Sequence, residues 1–210
     1  MDSIICTYVI EDTHFSEPEG LALAGSMGAK WYFEKKSDPL YDEWITSGYR
    51  KHFRRAKPSA FNKLIQDTPG ALISSSISRL WASNLMRSED ISSSIRRLQM
   101  SNFTLDASQI TDNAFALVEV VVNNQLEMSF GKAAAAAAHA TQNLAVLLEV
   151  TNSTLLDPWR KSGFAITASR GVIVDRATPF GSVQDFGLTE VPAGSTTAQA
   201  FITDSYFKDN

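Results

Sequence analysis

SFGKAAAAAAHATQN, residues 129–143, is the stretch from which the rest of the chain is read. Alanine has the strongest helix propensity, so six of them in a row predict a helix from 129 to about 148. Lys132 and His139 stand seven residues apart, two helical turns, and leave that helix on one face. The alanines keep the helix slim, so other backbone can approach it closely. A lysine in the first turn opposes the macrodipole, which favours anions there. Two readings stay open on this stretch alone: a poly-alanine helix whose polar residues face water, or a helix presenting Lys132 and His139 to a site.

Working outward, FALVEVVV (Phe115 to Val122) is the clearest strand in the chain, directly before the helix. Downstream, SVQDFGLTEVPAGSTTAQAF (182–201) runs from an apolar segment through Asp185-x-Gly187-x-Thr189 and Pro-Ala-Gly into a second strand-like run. Gly131-Lys132 with His139-Ala140, followed by Asp185-x-Gly187-x-Thr189 and Gly194, resembles the archaeal/eukaryotic-type peptidyl-tRNA hydrolases, the PTH2 family. There a strand leads into a helix of the form G-K-x6-H-A, and a later strand ends in D-x-G-x-T-x-x-x-x-G. The resemblance implies an α/β fold of mixed β-sheets with helices packed on their faces. It also implies hydrolysis of the ester that joins a peptide to tRNA, with no cofactor and no metal. The active-site groups it implies are Lys132, His139, Asp185 and Thr189. Asp185 would orient water or Lys132, Thr189 would be a hydrogen-bond partner, and His139 would transfer protons or hold the site together. Lys132, near exposed helix N–H groups, would suit oxyanion or phosphate stabilisation. The family usually has Gln at the fifth position of the lysine-led helix, where this chain has Ala136.

Each of these residues also has a structural reading. Asp185 before a glycine suits an Asx-turn, Thr189 an ordinary turn, and His139 among alanines a satisfied core histidine.

Composition bounds the rest. The 210 residues allow one domain or two small ones, and 44% apolar with 20% charged residues describes an ordinary globular protein. A net charge of −4 means that any nucleic-acid surface is local. Cys6 is the single cysteine, which excludes an internal disulfide framework and a cysteine-based zinc site. No basic signal-peptide region and no membrane-spanning apolar run is seen, so a cytoplasmic location without membrane association is expected. The oligomeric state is left open, a homodimer included.

In order, Ile4 to Ile10 reads as a strand and Glu17 to Glu34 as a helix weakened by Gly25 and Gly28 unless something packs closely there. Trp44-x-x-x-Gly48 follows, then Tyr49 to Ala56, a helix from Pro58 to Ile65, and a strand from Ala71 to Ile77, a β-α-β-α-β order. The second half repeats the plan: strand 115–122, the alanine helix, Trp159-x-x-x-Gly163, strand Phe164 to Ala168, a connection over 171–178, then strands 181–184 and 196–202. The two Trp-x-x-x-Gly segments lie 115 residues apart, and with the shared element order they favour a diverged tandem duplication over coincidence. Residues 74–94 are serine-rich and polar and read as a connection or irregular segment, and the expected division is a degenerate half over 1–80, a connecting segment over 81–113 and a motif-bearing half over 114–210. The two-part layout also looks like actinobacterial relatives of the peptidyl-tRNA hydrolases.

The first half carries its own candidate site. Arg50, Lys51, Arg54, Arg55, Lys57 and Lys63 lie between Trp44 and Gln66 without a carboxylate among them, interleaved with Tyr49, His52 and Phe53. Such a block suits phosphates and unpaired bases, and Arg50, Lys51, His52, Arg54, Arg55 and Lys57 are the expected tRNA contacts, apart from the C-terminal motifs. The alternative is an edge strand guarded by charge. A non-catalytic tRNA- or RNA-binding protein that keeps the hydrolase fold is the second functional reading, and Ala136 favours it.

Overall fold

Ile4–Glu11 forms β1, buried over its whole length, as its β-branched and aromatic run requires of a central strand. The computed structural model describes residues 3–105, 116–174, 180–187 and 190–203, and they make a mixed α/β architecture of two sheets. After β1 come α1 (Glu17–Lys35), α2 (Tyr41–Thr46), β2 (Lys51–Ala56), α3 (Pro58–Asp67), β3 (Gly70–Ser74) and β4 (Arg79–Ser83). Short pieces follow: β5 (Met86–Arg87), α4 (Ser93–Arg96) and β6 (Gln99–Met100). The second half holds β7 (Val118–Asn123), α5 (Phe130–Val150), α6 (Leu156–Lys161), β8 (Ile166–Gly171), β9 (Phe180–Gln184) and β10 (Thr196–Ile202).

The two halves share one topology. The first sheet is ordered β3-β4-β1-β2-β6, with β5 beside β1, and the second is ordered β8-β7-β10-β9. In each, the first strand pairs parallel with the strand after the two helices (β1 with β2, β7 with β8) and antiparallel with a later strand (β4 or β10), which in turn pairs antiparallel with the strand before it (β3 or β9). The Trp-x-x-x-Gly segments occupy equivalent corners. Trp44 Nε1 donates to the Arg50 carbonyl and Trp159 Nε1 to that of Ala165. Gly48 and Tyr49, like Gly163 and Phe164, sit at positive φ. That left-handed pair is why strand β8 starts at Ile166 and not at Phe164.

One reading of the serine-rich stretch is corrected. Residues 74–94 are not a mere connection: β4 lies inside them, pairs with both β1 and β3, and buries Leu80, Trp81 and Ala82. Five residues flanked by serines give too short a pattern to stand out. Beyond residue 80, β5 and β6 also join the first sheet.

Helices α1 and α5 lie side by side between the sheets. α1 packs on β3, β4 and β8, and α5 on β7, β9, β10 and β2, so each helix touches both halves and one apolar core runs through them. The outer face of the first sheet is covered separately, with Phe61 and Leu64 of α3 meeting Ile5, Val9 and Trp81. The glycines of α1 are explained by this contact. A β-carbon at Gly28 would lie 2.1 Å from the Ala138 carbonyl oxygen, and Thr141 Oγ1 donates to the Gly25 carbonyl at 2.7 Å. Among the described residues, no helix is long and apolar enough to cross a membrane.

This contact makes Gly28→Ala a discriminating change. Alanine is the better helix former by about 1 kcal/mol, yet its methyl group strikes backbone, so the variant should be less stable by about 1–3 kcal/mol in urea unfolding. A gain in stability would contradict the close approach of the two helices.

Candidate functional site

The first turn of α5 is closed off by the protein itself. Glu190 accepts from both the backbone N–H and the hydroxyl of Ser129 at 2.6 Å each. The carbonyls of Phe103 and Ser101 accept from the N–H groups of Phe130 and Gly131, and the Ser129 hydroxyl accepts from that of Lys132. The expected open N–H groups near Lys132 are therefore not available to a substrate. What the helix offers is its side chains.

Lys132 ion-pairs with Asp185 Oδ2, and both side chains are largely buried. Asp185 Oδ1 accepts from the Gly187 N–H at 2.7 Å, and Gly187 adopts φ +73°. Asp185 thus makes the Asx-turn and also ion-pairs with Lys132. Thr189 lies outside the described residues.

His139 is two turns further along α5. Burial drives its pKa well below the ordinary value of 6.5, and Lys51 and Lys132 add to this; a hydrogen bond with the Tyr49 backbone opposes it. The ring is neutral at pH 7, and its Nε2 has no hydrogen-bond partner among the described residues. Tyr49 stands edge-on to it at 5.5 Å between ring centroids.

The basic segment meets this constellation. A pocket of about 780 Å³ is lined by Lys132, His139 and Asp185 together with Arg50, Lys51 and His52. The expectation of two separate surfaces is corrected, because β2 packs against α5. Strand alternation divides the block. Lys51 shares the inner face with Phe53, while Arg54 turns outward and donates to the carbonyls of Arg96 and Leu98. Arg55 pairs with Asp12 and lies over the Phe103 ring, and Lys57 is exposed at the start of α3; neither lines the pocket.

Lys51 is the least expected member. Its Nζ donates to Gln142 Oε1 at 2.9 Å and lies 4.5 Å from the centre of the Trp44 ring, with Tyr49 and Tyr8 at 5.8 and 5.9 Å. Burial pulls its pKa down from 10.5 to about 7. Gln142, fully buried and donating in turn to Tyr41, and Glu190 were missed in the sequence. Gln142 was legible as the residue one turn beyond His139. Ala136 lines the pocket between Lys132 and His139 and presents only a methyl group there. Among the described residues, no group of three or more His, Cys, Asp or Glu could hold a metal ion.

Residues 117–203, the span from the start of β7 to the end of β10, match the family model of peptidyl-tRNA hydrolase PTH2. These residues carry a PTH2-type domain. No curated protein matches the chain. The pocket opens where the PTH2 domain meets the N-terminal half, and both halves line it.

The N-terminal half retains the counterpart of this pocket without its chemistry. A second groove is lined by α1, residues 72–77 and residues 162–166. On α1, Glu19, Leu23, Ser26 and Lys30 repeat the spacing of Lys132, Ala136, His139 and Asn143 on α5. Ser75 follows β3 as Asp185 follows β9, and Ile166 opens β8 as Lys51 opens β2. Glu19 in place of Lys132 is taken up in the capping box of α1, accepting from Ser16. Lysine, histidine and aspartate are all replaced.

The neutral state of His139 has a measurable consequence. The unfolded chain binds a proton at this residue below pH 6.5 and the folded chain does not, so folding stability falls as pH drops below that value. The slope approaches about 1.4 kcal/mol per pH unit for one such group. His52, also held down by burial, adds in the same sense, so His139→Gln should reduce the slope and not abolish it. Denaturant unfolding at pH 7 and below checks this; parallel curves would contradict a buried neutral His139.

Proposed function

We propose that the protein hydrolyses the ester bond of peptidyl-tRNA, or of an N-blocked aminoacyl-tRNA, releasing free tRNA. The observation that carries this reading is the Lys132–Asp185 pair, which shares one pocket with His139 and with Arg50 and His52 of the other half. The match of residues 117–203 to the PTH2 family model supports it. The acceptor end of tRNA enters over Arg50 and His52, where a cation and an aromatic ring suit phosphate and base.

In this reading Asp185 holds Lys132 so that its ammonium meets the oxygen of the scissile carbonyl as negative charge develops there. Water, oriented by Asp185, attacks the carbonyl carbon. Its proton passes to the free Nε2 of His139 and then to the departing ribose oxygen as the carbon–oxygen bond breaks. A neutral His139 is in the correct state to accept that proton. The substrate is soluble tRNA, which fits a cytoplasmic location. Ala136 favours a second reading, a tRNA-binding protein that keeps the fold without turnover, because no side-chain amide occupies that place on the pocket wall.

The test is release of free tRNA from an N-acetylated aminoacyl-tRNA by the purified protein. Lys132→Ala and Asp185→Asn should each lower the rate by about a hundredfold or more while the circular dichroism spectrum is unchanged. Rates like those of the unaltered protein would remove these residues from the chemistry. No release from any blocked substrate would favour the binding protein.

A further inference from the structure

Lys51 is a buried amine that the fold does not require. The corners at Trp44 and Trp159 align β2 with β8, and at the position of Lys51 the other half carries Ile166. Ile166 is buried, so an apolar side chain satisfies the packing there. Placing an amine in that position costs stability, the more so because among the described residues no carboxylate lies within ion-pair distance of it.

The surroundings favour a cation but do not neutralise it. Three aromatic rings face the ammonium, and the Gln142 amide oxygen accepts one of its three hydrogens. The titratable groups packed around it are uncharged near neutrality. Burial pushes Cys6 and Tyr8 of β1 up, together with Tyr41 of α2 and Tyr49 of the preceding corner, while His139 of α5 is pushed down. Arg50, the Lys132–Asp185 pair and Glu190 line the same pocket, and both of these carboxylates are already engaged, Asp185 by Lys132 and Glu190 by Ser129. The floor is therefore a seat for a cation that lacks its anion.

We propose that Lys51 is the anion receptor of the pocket and seats a phosphodiester of the bound nucleic acid, a charge supplied by the half of the chain that lacks the hydrolase motifs. That the phosphodiester belongs to a tRNA acceptor end rests on the function proposed above; the phosphodiester chemistry does not. Binding is coupled to a proton. With its pKa lowered to about 7 in the free protein, Lys51 is deprotonated at higher pH. The arriving anion restores the charge, so binding takes up a proton and weakens as pH rises above 7.

The test is calorimetric binding of the dinucleotide cytidylyl-adenosine and of its uncharged methylphosphonate analogue, from pH 6 to pH 9. The phosphodiester does not titrate in this range. The unaltered protein should bind the charged probe about tenfold more weakly per pH unit above 7, and the analogue weakly with no pH dependence. Lys51→Arg should bind the charged probe without pH dependence, because a guanidinium stays charged. Lys51→Met should bind both probes weakly and alike, and should melt no lower than the unaltered protein. Equal affinity for the two probes, pH-independent binding by the unaltered protein, or undiminished binding by Lys51→Met would each overturn the proposal. Hydrolysis and binding fail separately: proton-linked binding without turnover removes the catalytic reading alone, and turnover with pH-independent binding removes the receptor alone.

Discussion

The structure depends on how closely α1 and α5 approach. Backbone meets backbone where Gly28 faces the Ala138 carbonyl, and Thr141 bonds the Gly25 carbonyl across the seam. Only a helix as slim as the alanine run and a partner with glycine at the crossing permit this. Both helices then fit between the two sheets, each touching strands of both halves. Because α5 reaches β2 in this way, the side chains of one half stand beside the motifs of the other.

Charge in the resulting pocket is arranged unevenly. Lys132 is matched by Asp185, which the Gly187 N–H holds in place. Lys51 has aromatic faces and one amide oxygen. The first arrangement fixes a side chain by an ion pair; the second holds a cation without a carboxylate within ion-pair distance among the described residues. His139 is kept neutral by burial above all, and by both charges in addition. The second groove has the same scaffold with Glu19, Ser26 and Ser75 at the corresponding places, so the chain carries one charged pocket and one emptied of its chemistry.

Much of this was legible in the sequence because local pattern and long-range packing agree. The alanine helix follows from propensity and β1, β7 and β10 from their apolar, β-branched runs, and the repeated Trp-x-x-x-Gly corners disclosed two halves of like topology. Motif resemblance singled out Lys132 and Asp185, and the fold brings the two together as an ion pair. What escaped were properties set by tertiary contact. β4 is five residues hidden among serines, yet it sits between β1 and β3. The basic segment read as one surface, but strand alternation sends Arg54 to α4 and Lys51 into the pocket, and composition holds no record of that division. The closing of the α5 first turn by Glu190, Ser101 and Phe103 likewise comes from residues distant in the chain or beyond a glycine turn.

The central claim is that one site is built jointly by two halves of a single chain. It is tested most directly by a crystal structure of the protein with a non-hydrolysable analogue of an acylated acceptor end, an amide replacing the ester. The account predicts that the amide lies against Lys132 and Asp185 while the nucleotide portion contacts Lys51 and Arg50. An analogue bound by the PTH2 domain alone, or seated in the second groove, would contradict it.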